Sequence, residues 1–118
     1  MTPLIRQMAA ALALAALAGC SSPVERIISV QMDPLRPDGS TWDILGGPPD
    51  PFIVVDGQSY RDHACEDSYK CSFRVKGRQL YRIEVKDRDN MMDQSAGKTW
   101  CLAGKSCRTK AATVRVSG

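Results

Sequence analysis

The sequence predicts an all-β fold, a small antiparallel β-sandwich, and three observations carry that prediction. Short runs alternate apolar and polar residues: Ile28, Val30 and Met32; Cys71, Phe73 and Val75; Tyr81, Ile83 and Val85; Val114 and Val116. A period of two marks a strand with one buried face. Segments rich in Pro, Gly and Asp separate the runs, and heptads, sustained helical periodicity and internal repeats are all missing from the sequence. Regularly spaced short strands with turn signals between them define a two-sheet sandwich.

The first strand is centred on Ile28, Val30 and Met32. The segment from Asp33 to Pro51 holds five of the seven prolines and three glycines, so it is a long loop and not a helix. Phe52-Ile53-Val54-Val55 is a short strand stopped by the turn signal Asp56-Gly57. Between the Cys71 and Tyr81 runs, Gly77-Arg78 predicts a tight hairpin. Val114 and Val116 close the chain as a last strand.

At 118 residues there is room for one domain. A net charge of +3 is too mild for a nucleic-acid binder, and 43% hydrophobic content argues against a disordered chain. No stretch reaches the ~18 apolar residues of a membrane-spanning helix.

Arg6 precedes an apolar run from Met8 to Ala18, the layout of a secretory signal. The run ends in Leu17-Ala18-Gly19-Cys20, which resembles the lipobox of bacterial lipoproteins. That resemblance implies cleavage before Cys20, acylation of Cys20, and stable anchoring by several acyl chains. Ser21 stands where an Asp resembles an inner-membrane retention signal, so the implied location is the outer membrane, on its periplasmic or surface face. The expected organisation is a signal peptide over 1–19, lipidated Cys20 with a tether over 20–26, and the sandwich over 27–118.

Cys65, Cys71, Cys101 and Cys107 remain in the mature chain. An even count in a small exported domain reads as a disulfide framework with three possible connectivities. The two C-x5-C spacings favour the local pairs 65–71 and 101–107, with crossed pairings left open. A zinc site would prefer shorter knuckles and a reducing compartment. A core of about 90 residues is marginal, which gives the disulfides a physical reason.

Two acidic clusters flank strand ends. One holds Asp43 and Asp50 around Gly46-Gly47, and the other holds Asp87, Asp89 and Asp93. Ca2+ takes six to eight oxygens from flexible loops, and Asp-x-Asp lets two carboxylates converge on one cation. Met92 and Lys98 occupy the positions where an EF-hand needs Gly and Glu. Isolated Asp in such loops more commonly caps local backbone, as expected for Asp33, Asp38 and Asp56.

These clusters resemble the calcium-binding loops of C2 domains, eight-stranded sandwiches that bind phospholipid. Asp43, Gly46-Gly47 and Asp50-Pro51-Phe52 match the first loop, with Phe for Tyr. Val85-Lys86-Asp87-Arg88-Asp89, Asp93 and Gly97 match the third. The likeness covers Ile27 to Gly97. The Asp89–Asp93 spacer is shorter than the family's, which sets Asp93 apart from the other four. The resemblance implies a C2-like β-sandwich with Ca2+ held by Asp43, Asp50, Asp87, Asp89 and Asp93.

Ile44-Leu45 and Met91-Met92 sit at the loop tips; they either fold inward onto the core or project as membrane contacts, as such tips do in C2 domains. Lys70, Arg74, Lys76 and Arg78 share one parity, with Glu84 expected beside them. They form either a solvated strand face or a surface for anionic headgroups. Catalysis is not expected: His63 is the one imidazole, and no serine sits in G-x-S-x-G. Two functions are compatible with these residues. One is a calcium-dependent module binding anionic lipid or an envelope partner, and the other is a metal-independent interaction lipoprotein.

Overall fold

The structure, a computed structural model, describes residues 24–118, so the leader and Cys20 lie outside the described residues. Eight strands are formed: β1 (Glu25–Met32), β2 (Pro51–Val55), β3 (Gln58–Ser59), β4 (Lys70–Lys76), β5 (Leu80–Asp87), β6 (Gln94–Leu102), β7 (Ser106–Arg108) and β8 (Ala112–Val116). One 3-10 turn, Arg61–His63, lies between β3 and β4. The strands make two four-stranded sheets, ordered β4-β1-β8-β7 and β3-β2-β5-β6, with every neighbour antiparallel. The predicted all-β sandwich is what the structure shows, with eight strands where the period-two and apolar runs marked five.

The period-two runs set the inner faces. Ile28, Val30 and Met32 of β1, Phe73 and Val75 of β4, and Val114 and Val116 of β8 are buried against Phe52, Ile53, Tyr81, Ile83 and Val85 of the facing sheet. A single core results. β1 takes in Glu25 and Arg26, which the sequence reading gave to the tether.

The predicted Gly77-Arg78 hairpin is not formed. β4 pairs with β1 and β5 pairs with β2 and β6, so the chain crosses from one sheet to the other at Gly77. Tyr81 holds that corner: its hydroxyl donates to the Lys76 carbonyl at 2.7 Å and accepts from the Arg78 N–H at 2.6 Å. Gly77 is required because its N–H donates to the Val24 carbonyl at 2.7 Å, and a Cβ there would run into that same oxygen.

β6, like the short β3 and β7, has no counterpart in the predicted strands. A bulge opposite Val85 and Lys86 breaks its alternation, leaving Ala96 and Cys101 as its buried residues. Gly97, at φ +105°, sits in the bulge, where a Cβ would lie 2.6 Å from the Lys110 nitrogen.

Both local disulfides are present. Cys65–Cys71 ties the segment after the 3-10 turn to β4. Cys101–Cys107 joins β6 to β7 and so staples edge strands of the two different sheets.

The registers give the sandwich two distinct ends. At one end lie Glu25, Lys76, Leu80, Leu102 and Val116; at the other lie Met32, Lys70, Asp87, Gln94 and Ala112. The three long loops, β1–β2, β3–β4 and β5–β6, all emerge at the second end.

Candidate functional site

Four of the five predicted acids come together at that end. Asp43, Asp50, Asp87 and Asp89 line one open cleft of about 530 Å³. Asp87 is the last residue of β5, and the strand's parity turns its carboxylate inward, leaving it 4% exposed. Asp50 precedes Pro51 at the start of β2, directly beside it in register. Asp43 and Asp89 come from the loops on either side.

Backbone N–H groups fix each carboxylate. Asp87 Oδ1 accepts from the Asp50 N–H at 2.8 Å, and Asp50 Oδ1 accepts from the Asp67 N–H at 2.7 Å. Asp43 Oδ1 accepts from Leu45 and Asp89 Oδ1 from Met91, each at 3.2 Å. Among the described residues, the Oδ2 atom of all four accepts no hydrogen bond. Asp43 and Asp89 make the local Asx bonds expected of loop aspartates, whereas Asp50 and Asp87 are held by N–H groups 17 and 37 residues away.

Burial raises the Asp87 carboxyl above its ordinary value, the bond from the Asp50 N–H offsets part of this, and the neighbouring Asp50 and Asp89 charges raise it further. A buried carboxylate with like charges around it is electrostatically prepared for a cation.

Asp93 is placed differently. Arg61 bonds both its oxygens, Nε to Oδ2 at 2.8 Å and Nη2 to Oδ1 at 3.2 Å, and Arg61 Nη2 also reaches the Asp89 carbonyl. The guanidinium holds the Asp93 carboxyl below its usual range, and Oδ1 also accepts the Asp89 N–H. In the shortened loop Asp93 therefore acts as a brace. Among the described residues, no three acidic, His or Cys side chains are already gathered at metal-holding distance.

The cleft also contains residues the sequence reading did not single out. Asp67, at φ +47°, and Glu66 enter from the β3–β4 loop, while Arg61 and Arg88 supply positive charge, Arg88 pairing with Glu66 at 3.5 Å. Asp67 is not legible in the sequence as a cleft residue, because nothing local shows that this loop reaches the other two. Trp42 is 2% exposed and forms the floor, its Nε1 donating to the Asp33 carbonyl at 2.8 Å.

The loop tips project. Ile44 is 95% exposed and Met91 96%, with Leu45 and Met92 also exposed, so the inward-folding alternative does not occur. Trp42, Pro49 and Met32 are buried apolar residues of the adjoining chain.

Lys70, Arg74 and Lys76 stand exposed on the outer face of β4, an edge strand. Arg78 lies past the strand and pairs loosely with Asp56 at 3.8 Å. Glu84 is not beside them; it is on β5 in the other sheet, where Ser95 donates to it. The expectation that it neighbours the basic row fell with the hairpin that would have placed it there.

No family model and no curated protein matches the chain. Among solved structures it is similar to a chain described as "Structure of a C2 domain", at 16% identity and a TM-score of 0.48, covering 82% of this chain and 100% of that one.

Proposed function

We propose that this protein is a lipid-anchored envelope module, C2-like in character and non-catalytic, whose acidic loop cleft binds Ca2+ and so engages an anionic lipid surface or an envelope partner. The observation that carries this reading is the convergence of Asp43, Asp50, Asp87 and Asp89 on one cleft rimmed by the exposed Ile44, Leu45, Met91 and Met92. Hard oxygen donors on loops suit Ca2+, with affinity expected in the weak range of extracellular modules, Kd ~10⁻⁴–10⁻³ M. Asp93 is not among the ligands proposed, because Arg61 occupies both its oxygens. Cys20 would supply the anchor, with the outer membrane as the implied location.

The test is a thermal melt of the oxidised mature chain with millimolar Ca2+ and with chelator. Ca2+ at about 10 mM, roughly 10–100 times that Kd, should add ~1.4–2.7 kcal/mol, a shift of several degrees for this size. Asp87→Asn with Asp89→Asn should abolish the shift. Coincident melts overturn the calcium reading. They would favour a metal-independent interaction lipoprotein, for which the observation is that Arg61 and Arg88 already place two cations in the cleft.

A further inference from the structure

At the end of the sandwich opposite the acidic cleft, four exposed side chains form a cluster on the outer face of β5 and β6. Leu80 faces Leu102 in register, and Arg82 faces Trp100. Leu80 and Leu102 are about half exposed, Trp100 is 61% exposed, and the Arg82 guanidinium lies over the indole at 6.0 Å from its centroid. Large apolar residues paired across strands and turned to solvent are what a buried-face period does not explain.

The chain enters the fold at this same end. Val24 is held by Gly77, and the Arg26 guanidinium donates to the Arg78 carbonyl at 2.9 Å, next to Leu80. Val24 lies four residue steps beyond Cys20 in the sequence, and at full extension those steps span about 14 Å. The opposite end is farther: β5, which runs from Leu80 to Asp87, covers roughly 23 Å. A domain standing on its loop tips would lift Val24 beyond the reach of that tether.

We infer that the Leu80–Arg82–Trp100–Leu102 cluster is a membrane seat: it rests in the headgroup layer of the bilayer that holds Cys20, and the acidic cleft consequently faces away from that bilayer. The inference rests on the reading of Cys20 as acylated. Its chemistry fits the occupant. Trp prefers the boundary between apolar and wet surroundings, and Arg can lay its stem on apolar surface while its charge meets phosphate. Several acyl chains bring the seat to the surface, so four modest contacts suffice to orient the domain. The target of the cleft is then carried by something other than the protein's own membrane.

The two tryptophans report on opposite ends, Trp100 in the seat and Trp42 beneath the cleft. The full chain, matured and acylated in a bacterial host and labelled with palmitate, is reconstituted in phosphatidylcholine–phosphatidylglycerol vesicles brominated near the headgroup. The expected result is quenching of Trp emission that Trp100→Phe removes, leaving the Trp42 signal unquenched. Leu80→Glu with Leu102→Glu, at positions already exposed, should cut that quenching at least two-fold while palmitate label is retained. Labelled protein with no quenching overturns the seat and leaves the anchor standing. Quenching that persists in Trp100→Phe overturns it too, since Trp42 and the loops would then face the lipid. A chain that takes up no palmitate overturns the anchor reading and the seat with it.

Discussion

The Asp87 carboxylate accepts a hydrogen bond at 2.8 Å from the backbone N–H of Asp50, 37 residues earlier in the chain. With the Arg88 N–H donating to the Asp50 carbonyl at 2.9 Å and the β2–β5 pairing alongside, it ties the end of β5 to the start of β2. It also holds a buried carboxylate in place without neutralising it, so the geometry is kept while the electrostatic cost remains.

Asp87→Asn should therefore stabilise the metal-free protein near neutral pH. Burial and like charges raise the folded pKa of Asp87, so the folded state binds its proton more tightly than the unfolded chain does. Ionisation is thus destabilising above the folded pKa, and that penalty is relieved as pH falls through it. The Asn carbonyl can still accept the Asp50 N–H. A midpoint raised by a few degrees in chelator is expected, since about 1 kcal/mol corresponds to about 4–8 °C at this size. A lowered midpoint would show that the charge is compensated.

Asp33 has the opposite sign. Two hydrogen bonds from Arg108, both at 2.8 Å, and the guanidinium charge lower its folded pKa. The stability this pair contributes is present above the unfolded value of about 3.9 and is lost as pH falls through the folded one. The pair is over a third exposed, so after screening it contributes less than about 1 kcal/mol. Asp33→Asn should flatten the loss of stability below about pH 4, as read by denaturant midpoints across pH.

Removing the inter-sheet staple should be costly. Closing a loop with a sequence separation of 6 is worth about 2 kcal/mol in the chain-entropy account. Cys101→Ser with Cys107→Ser should lower stability by at least that much, because Cys101 is also buried and its hydroxyl replacement needs a partner. Urea denaturation of the oxidised double variant measures it.

Tyr81→Phe should cost about 1–3 kcal/mol, because it leaves the Arg78 N–H and the Lys76 carbonyl without their shared hydroxyl. Faster amide exchange confined to residues 76–80 would identify the loss with the crossing between sheets.

Calcium should leave Trp42 emission responsive and Trp100 emission unchanged, since only Trp42 borders the cleft. A titration of the Trp100→Phe variant measures this, with saturation expected in the millimolar range.

How much of the fold the sequence disclosed follows from the range of each interaction. Alternation is local, so Ile28, Val30, Met32, Phe73, Val75, Ile83 and Val85 were readable as one-sided strands, and all are buried. The C-x5-C spacing likewise pointed to the two local disulfides, because six residues set the closure. β6 was illegible because its bulge spoils the period, and Asp67 because nothing in its own loop announces its neighbours. Strand pairing was decided only by tertiary structure: a period of two tells which face is buried and nothing about the partner. β4 and β5 have the same pattern as a hairpin, yet Tyr81 and the approach of Val24 to Gly77 send them to different sheets. The same long-range packing brought Asp43, Asp50, Asp87 and Asp89 into one cleft, gave Asp93 to Arg61, and left the loop tips in solvent. Residue types and faces belonged to the sequence; distances between loops belonged to the sandwich, whose crossing of sheets is fixed by contacts no local pattern contains.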